Sequence, residues 1–410
     1  MFIKITKIEI PKVLENIFND LNNIKAKPII VGGSVRDSFL NKKIKDYDIE
    51  VFNISSIENL IKILSKYQEP KLVGKSFGVL KLNFDDLEFD FSLPRIESKI
   101  GQYHRDFDIV LDSTLSYKEA SKRRDFTINS IGYDYFKNQF LDTYNGIEDL
   151  KNRKIKYIDD KTFVEDSLRV FRAVQFASRF NFKIDNNTKE LCKNIVKNKE
   201  LEYLSSERVF EELKKLFLKS KKPSIGLKLL DDLEIFDISF KKSYKSIDKL
   251  IRILENKDIK DEKRVLAIVF ALLLKKQNKD KKDNFISKVI NNKSLIKHIN
   301  LLIENELRDD IKYLKRLSLK VNIEELIFIY FAKNKNKKRL KNILKKLKKN
   351  NILNKPFEAF ISGKDLISLG FKESKKFKEI LDFALHLQIE NDFSKNKIIE
   401  KIKFNYFKQT

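Results

Sequence analysis

The apolar positions of this chain follow two different periods, and the change falls near residue 150. Before it, short strand-like runs alternate with short helical ones. Residues 28–31 form an apolar run that ends at Gly32-Gly33, and a helix is predicted from Ser34 through Phe39 and Leu40. Residues 47–52 alternate with a period of two, as a half-buried strand does. Residues 55–67 place Ile57, Leu60, Ile61 and Leu64 on one helical face. Residues 79–84 and 87–91 then read as a hairpin turning at Asp85-Asp86. After about residue 160 helical spacing dominates to the end. The turn-rich segment Asp142-Thr143-Tyr144-Asn145-Gly146 and the charged stretch 149–156 mark the boundary. Loops are predicted at 221–223, 275–283 and 350–356. No internal repeat of fixed period is visible.

A chain of 410 residues exceeds what one hydrophobic core organises, so roughly two to four domains are expected. No apolar run approaches the ~18 residues of a membrane span, and the first residues are too polar for a secretory signal. The single cysteine, Cys192, excludes an internal disulfide and points to a reducing cytoplasm. Lys and Arg number 85 against 59 Asp and Glu, a net charge of +26. That excess suits a polyanionic partner, although a composition rich in Lys, Asn, Ile and Phe also reflects an AT-rich coding bias. His104, His298 and His386 are scattered without metal-ligand spacing. The lysine-dense stretch 333–350 carries Leu340, Ile343, Leu344 and Leu347 at helical spacing, as a solvated helix with one buried stripe would. Its lysines also suit a phosphate backbone.

Candidate chemistry begins at Gly32-Gly33. Glycines let the backbone approach a phosphate and aim N–H groups at it, and the following helix adds its positive end. Arg36, about one turn in, supplies a guanidinium. The alternative is an ordinary strand-to-helix turn. Asp46 and Asp48 stand two apart on a strand and so share a face. Paired carboxylates repel unless a cation lies between them, and Mg²⁺ prefers such oxygens together with substrate phosphates. A solvent-facing strand edge is the bland alternative. Glu88 and Asp90 share a face on their own strand, and either can meet Asp46 and Asp48. Arg123 and Arg124, ahead of Asp125 and Asn129, can grip a triphosphate or ribose; otherwise they are surface charge at a helix N-terminus. Residues 165–172 read as the opening of a helix in which Asp166 and Arg169 form either an ordinary ion pair or an acceptor–donor pair for a base edge. Residues 205–215 read as a capped, charge-laced helix with a structural role.

In order, these pieces resemble the bacterial-type (class II) tRNA nucleotidyltransferase and poly(A) polymerase family, within the polymerase-β-like superfamily. The resemblance runs from about residue 28 to residue 230. It rests on Gly32-Gly33-Ser34-Val35-Arg36-Asp37, Asp46-x-Asp48, Pro94-Arg95-Ile96-Glu97-Ser98-Lys99, Arg123-Arg124-Asp125-Phe126-Thr127-Ile128-Asn129, Glu165-Asp166-Ser167-Leu168-Arg169 and Ser206-Glu207-Arg208 to Lys215. Ile361-Ser362-Gly363-Lys364-Asp365-Leu366 with Gly370 is similar to tails of the family.

The resemblance implies an α+β nucleotidyltransferase head with a small mixed sheet (1–150), then an all-α neck carrying base recognition (151–222), body (223–355) and tail (356–410). It implies catalytic Asp46, Asp48 and Asp90, with Asp46 and Asp48 holding two Mg²⁺ ions. It selects Asp90 over Glu88 because the family's third acid lies five residues before an arginine, here Arg95. It implies nucleotide binding by Gly32, Gly33, Arg36, Arg124, Asp125, Asn129, Asp166, Arg169 and Arg172, with Asp166 and Arg169 templating the base. Gln175 replaces an arginine frequent in the family.

The implied activity is addition of CCA to the 3′ end of tRNA from CTP and ATP, in the cytoplasm and away from membranes, with tRNA held by body and tail; the oligomeric state is left open. Poly(A) polymerase, or addition of CC alone or A alone, is the alternative. The full-length loop 95–107 argues against CC alone, and the end of the chain at Thr410 against poly(A) polymerase. Without a His-Asp dipeptide, the phosphohydrolase activity of some relatives is not expected.

Overall fold

A seven-stranded sheet is the scaffold of the N-terminal half, in a computed structural model that describes residues 2–73, 78–99, 101, 107–333, 336–374 and 376–407. The chain divides into two compact units, Met1–Lys241 and Lys242–Thr410.

The first unit opens with helix α1 (Lys12–Asn23), strand β1 (Lys27–Val31), helix α2 (Gly33–Phe39), strand β2 (Asp46–Phe52) and helix α3 (Ile57–Leu64). Strands β3 (Lys71–Val73), β4 (Val79–Phe84), β5 (Leu87–Ser92), β6 (Arg95–Lys99) and β7 (Phe107–Leu111) follow. The sheet order is β3-β4-β5-β2-β1-β8-β9, where β8 is Gly132–Asp134 and β9 is Gln139–Leu141. Only β2 and β5 pair in parallel; the other neighbours are antiparallel. The predicted hairpin turns at Asp85, whose φ of 51° is the left-handed conformation Asp tolerates. On α3 the buried stripe is Leu60, Ile63 and Leu64, while Ile57 and Ile61 are half-covered. Strands β6 and β7 form a separate antiparallel ribbon. Much of the loop joining them lies outside the described residues, including His104.

Helix α4 (Tyr117–Lys122) precedes β8 and helix α5 (Gly146–Lys151) follows β9. Then come α6 (Asp160–Glu165), α7 (Leu168–Phe180), α8 (Asn186–Lys197), α9 (Ser206–Lys219) and α10 (Ser224–Asp232). The helical region is not wholly helical: β10 (Lys154–Ile155) and β11 (Lys183–Ile184) pair in parallel.

The second unit is all-α among its described residues. Helices α11 (Tyr244–Asn256), α12 (Glu262–Leu274), α13 (Lys279–Val289) and α14 (Lys293–Glu304) lead to α15 (Ile311–Ser318), α16 (Ile323–Ala332) and α17 (Lys337–Lys349). Helix α12 is buried on every side from Val265 to Leu274, as an apolar run without a polar face requires. The predicted loop 275–283 is shorter than the charge pattern suggested, because the Asn278 side chain accepts from the Lys281 N–H and starts α13 early. On α17, Leu340, Ile343 and Leu347 form the buried stripe. Helices α18 (Gly363–Ser368), α19 (Lys376–Glu390) and α20 (Lys395–Ile402) close on an apolar cluster of Ile361, Leu366, Ile380, Leu387, Ile398 and Ile402. No helix among the described residues is long and apolar enough to cross a membrane.

Candidate active site

Register builds the site. Val31, the last residue of β1, pairs with Asp48. The next residue, Gly32, therefore turns over the Asp48 side chain. Gly32 has φ 73°, and a Cβ there would lie 3.0 Å from Asp48 Oδ2 and 3.1 Å from an Arg124 guanidinium nitrogen. Glycine is required on both counts. Helix α2 starts at Gly33, so its first N–H groups follow the turn.

On the other side of β2, Asp46 pairs with Glu88 and Asp48 with Asp90. Same-face carboxylates thus lie across two adjacent strands. Burial raises the Asp48 carboxyl above its ordinary range, with Asp90 and Glu50 adding to the shift; Arg124 and Arg36 oppose it. Burial raises Asp90 as well, helped by Glu88 and Asp46 and opposed by Lys81. Lys81 reaches Glu88 at 2.7 Å and Asp90 Oδ1 at 3.4 Å, a cation where carboxylates crowd. Asp90 Oδ1 is buried without a hydrogen bond. As the side chains stand, no three His, Cys, Asp or Glu among the described residues are gathered to hold a metal. The donor set nonetheless suits a hard divalent cation: oxygen-only, same-face and incompletely neutralised.

Glu50, the third acid of the i, i+2, i+4 row on β2, was not anticipated. It is 1% exposed and accepts from Arg123 at 2.5 Å and Arg124 at 2.8 Å. Burial alone would raise its carboxyl; the two guanidinium groups outweigh it and hold the carboxyl below its ordinary range. Arg123 and Arg124 are therefore not surface charge at a helix N-terminus. They follow the C-terminus of α4 and are drawn inside by Glu50.

A chain of side chains continues from them. Arg36 donates to Asn129 Oδ1 at 2.5 Å, Asn129 donates to Asp125 at 2.9 Å, and Arg172 donates to Asp125 at 2.7 Å. Asp125 and Asn129 are buried links holding two arginines in place.

Asp166 and Arg169 lie differently from the expected helix opening. Asp166 is extended, in a break between α6 and α7, and its carboxylate accepts from the Leu168 N–H and from Arg208 at 3.0 Å. Arg169 donates to the carbonyls of Thr162 at 2.5 Å and Arg123 at 2.6 Å. Arg208 is thus Asp166's ion-pair partner, and Arg169 ties α7 to the arginine-bearing segment.

Helix α9 also enters the site, against the structural reading of its charges. Ser205 makes no side-chain cap bond. Arg208, Glu212, Lys215 and Lys219 fall at i, i+4, i+7 and i+11 on the face toward α7 and line the same cavity as Gly32, Gly33, Arg36, Asp48, Arg124, Asp166, Arg169 and Arg172. This cavity measures about 570 Å³. Gln175, 1% exposed with a buried amide nitrogen lacking a partner, lines it too. The fold therefore brings the glycine turn, Asp48 and an arginine-rich wall to one cleft, with Asp46 and Asp90 on the same strand pair but outside its lining, which is the outline of a nucleotidyltransferase.

Comparison with known proteins agrees. Residues 29–156 match the poly A polymerase head domain family, and residues 181–245 match the probable RNA and SrmB-binding site of polymerase A. A multifunctional CCA protein of Aliivibrio salmonicida is 38% identical over 206 residues, 50% of this chain and 48% of that protein. A CCA-adding enzyme of Buchnera aphidicola is 33% identical over 217 residues, 52% of this chain and 49% of that protein. The matches thus span about half the length of these curated relatives. Among solved structures, the Thermotoga maritima CCA-adding enzyme complexed with tRNA aligns with TM-score 0.69 at 22% identity, covering 97% of this chain and 96% of that one. The Bacillus stearothermophilus CCA-adding enzyme in complex with CTP aligns with TM-score 0.69 at 21% identity, covering 97% and 99%. These likenesses establish the fold: a mixed-sheet head followed by helical domains. The N-terminal half is thus similar in sequence to the poly A polymerase head family and to CCA-adding enzymes.

Proposed function

We propose that this chain adds CCA to the 3′ end of tRNA from CTP and ATP, without a nucleic-acid template. The tRNA 3′-hydroxyl attacks the nucleotide α-phosphate and pyrophosphate leaves. The observation that carries the reading is Asp48, in register with Asp90 on the next strand, set beside the Gly32 turn in a cleft walled by arginines. Asp46 and Asp48 would hold two divalent ions, which when bound neutralise the attacking and leaving oxygens. Asp90 is the third carboxylate of the group. Gly32, Gly33 and the start of α2 receive the triphosphate with backbone N–H groups, and Arg36 and Arg124 add charge.

Asp166 and Arg169 offer an acceptor and donors to the base edge, and cytosine and adenine both carry an amine beside a ring acceptor. The Asp166–Arg208 ion pair must open for that, so Arg208 competes with the base for one carboxylate. Arg172 and Asp125 keep the wall aligned. Four parts are proposed: head 1–150, neck 151–222, body 223–355 and tail 356–410, the last two binding the acceptor arm through backbone charge and shape. The cytoplasm is the proposed location.

The deciding experiment is a product ladder on tRNA lacking its 3′ end, with CTP alone, ATP alone and both. Two C residues with CTP and a final A only with both support CCA addition. A long A tract makes the chain a poly(A) polymerase, and no extension overturns the reading.

A further inference from the structure

At the edge of the cleft, beside Arg179 and Lys219, positive charge exceeds what the nearby acids answer. Phe180, stacked on Phe176 at 5.6 Å, carries three cations. The Lys42 ammonium stands 4.4 Å from its centroid, the Arg36 guanidinium carbon 4.8 Å and that of Arg179 5.0 Å. Lys219, the last residue of α9, lines the cleft beside Arg179 and acts on Lys42 by its charge. Burial lowers the Lys42 ammonium below its ordinary range, and Arg179, Arg36 and Lys219 lower it further; Asp37 opposes them.

Asp37 is the acid in direct contact, 2.8 Å from Arg36 and 3.5 Å from Arg179. Glu212, the next acid along the wall, is taken by Lys215 at 2.8 Å. Lys219 has no acid within ion-pair reach among the described residues.

Helix dipoles do not account for this gathering. Lys42, Arg179 and Lys219 do stand at the C-terminal ends of α2, α7 and α9, where a cation stabilises by about 0.3–1 kcal/mol. Beyond that, Lys42 and Arg179 converge on the Phe180 ring, and Arg179, Arg36 and Lys219 all repel the Lys42 ammonium. An anion between them would remove the repulsion, and the like charges are held ready for one. Arg36 ties this end to the nucleotide turn, since its guanidinium lies 3.5 Å from the Cβ position of Gly33.

We propose that Lys42 and Arg179 on the Phe180 ring, with Lys219 on the adjoining cleft wall, form a second phosphate-binding subsite at the edge of the cleft. The inference rests on the nucleotidyl-transfer reading and deepens it. The shared chemistry is a phosphate group, supplied either by the RNA strand behind the attacking hydroxyl or by the terminal phosphate of the nucleotide.

The test uses the full chain carrying Lys42→Ala, Lys219→Ala, their double variant, Arg179→Ala and Arg179→Lys, with exposed Lys151→Ala as the control. KM for CTP and for tRNA lacking its 3′ end is measured, with direct titrations of inorganic tripolyphosphate and of the same tRNA. Losing a charge-assisted contact raises one KM by about tenfold with kcat changed less than about twofold, and Arg179→Lys retains most of the affinity. A rise confined to tRNA, with weaker tRNA titration and unchanged tripolyphosphate, assigns the subsite to the RNA strand. A rise for CTP with weaker tripolyphosphate binding assigns it to the nucleotide. If the double variant melts like the wild type and moves neither KM nor either titration, the subsite is refuted. If the wild type extends no tRNA, the transfer reading fails, and the two titrations still decide the subsite.

Discussion

Glu50, two residues beyond Asp48 on the same face of β2, holds Arg124 at 2.8 Å. The arrangement fixes a guanidinium over the glycine turn while its counter-ion stays out of the cleft. Glu50→Gln leaves the buried Arg124 guanidinium without its ion-pair partner and Arg123 with only Glu97 at 3.5 Å, a loss of about 3–5 kcal/mol in stability. Because Arg124 then loses its position, nucleotide incorporation should fall by about 10²-fold. Melting and CTP kinetics measure the two effects. A variant with wild-type values for both shows that Arg123 and Arg124 need no buried anchor.

Gly32 and Gly33 are not equivalent. Alanine at Gly32 meets Asp48 at 3.0 Å with φ at 73°, which adds about 1–2 kcal/mol of backbone strain and displaces a carboxylate. At Gly33 the nearest atom is 3.5 Å away, an ordinary contact. Gly32→Ala should nearly abolish incorporation and Gly33→Ala should reduce it mildly. Equal losses would mean that Cβ clearance does not set the requirement.

Register also separates the two acids of β5. Asp90 lies opposite Asp48, while Glu88 lies opposite Asp46 at the exposed end and is paired with Lys81. Asp90→Asn should slow incorporation by about 10³-fold, roughly 4 kcal/mol of lost charge stabilisation. Glu88→Gln should change it less than about threefold, as for a surface ion pair. Chelating divalent ions with EDTA should stop the wild type and be reversed by added Mg²⁺. The opposite ranking of the two variants would move the third carboxylate to Glu88.

Some of this site was legible in the chain and some was hidden for definite physical reasons. The glycine turn, the acid pair and the hairpin all showed as local pattern, because a strand's period of two places Asp46 and Asp48 together whatever surrounds them. Glu50 continues that same row and was readable there. The α9 face was not: Arg208, Glu212, Lys215 and Lys219 have the spacing of any solvated helix, and only the packing of α7 opposite makes them a wall. The break at Asp166-Ser167 carries no glycine or proline, and tertiary bonds set it, notably Arg208 on Asp166. Arg123 and Arg124 read as surface charge because their buried partner lies on a strand some seventy residues earlier in the chain.

Asp125 gives the site a pH signature. Burial alone would raise its carboxyl, but Arg172, Asn129 and Arg169 together hold it below its ordinary range. A lowered folded-state pKa stabilises above the unfolded value of about 3.9 and is lost as pH falls through the folded value. Asp125→Asn should therefore lower the melting temperature at pH 7, and the gap to wild type should narrow as both are taken below about pH 4. A gap that stays constant down to acid would show that the charge of Asp125 contributes nothing to the fold.

Cys192 offers a direct view of how the first unit opens. It is the chain's only cysteine, lies fully buried on α8, and burial pushes its thiol up to about 12. The thiolate is the reactive form, so labelling in native buffer must wait for the unit to open. If nucleotide binds the cleft of that same unit, CTP with Mg²⁺ at about a hundred times its dissociation constant stabilises the closed form by ~2.7 kcal/mol and slows labelling about 100-fold. Thiol-reagent kinetics at pH 8, with and without nucleotide, make the comparison. An unchanged rate at saturation would mean that Cys192 is reached by a local motion independent of the cleft, and α8 would then be uncoupled from nucleotide binding.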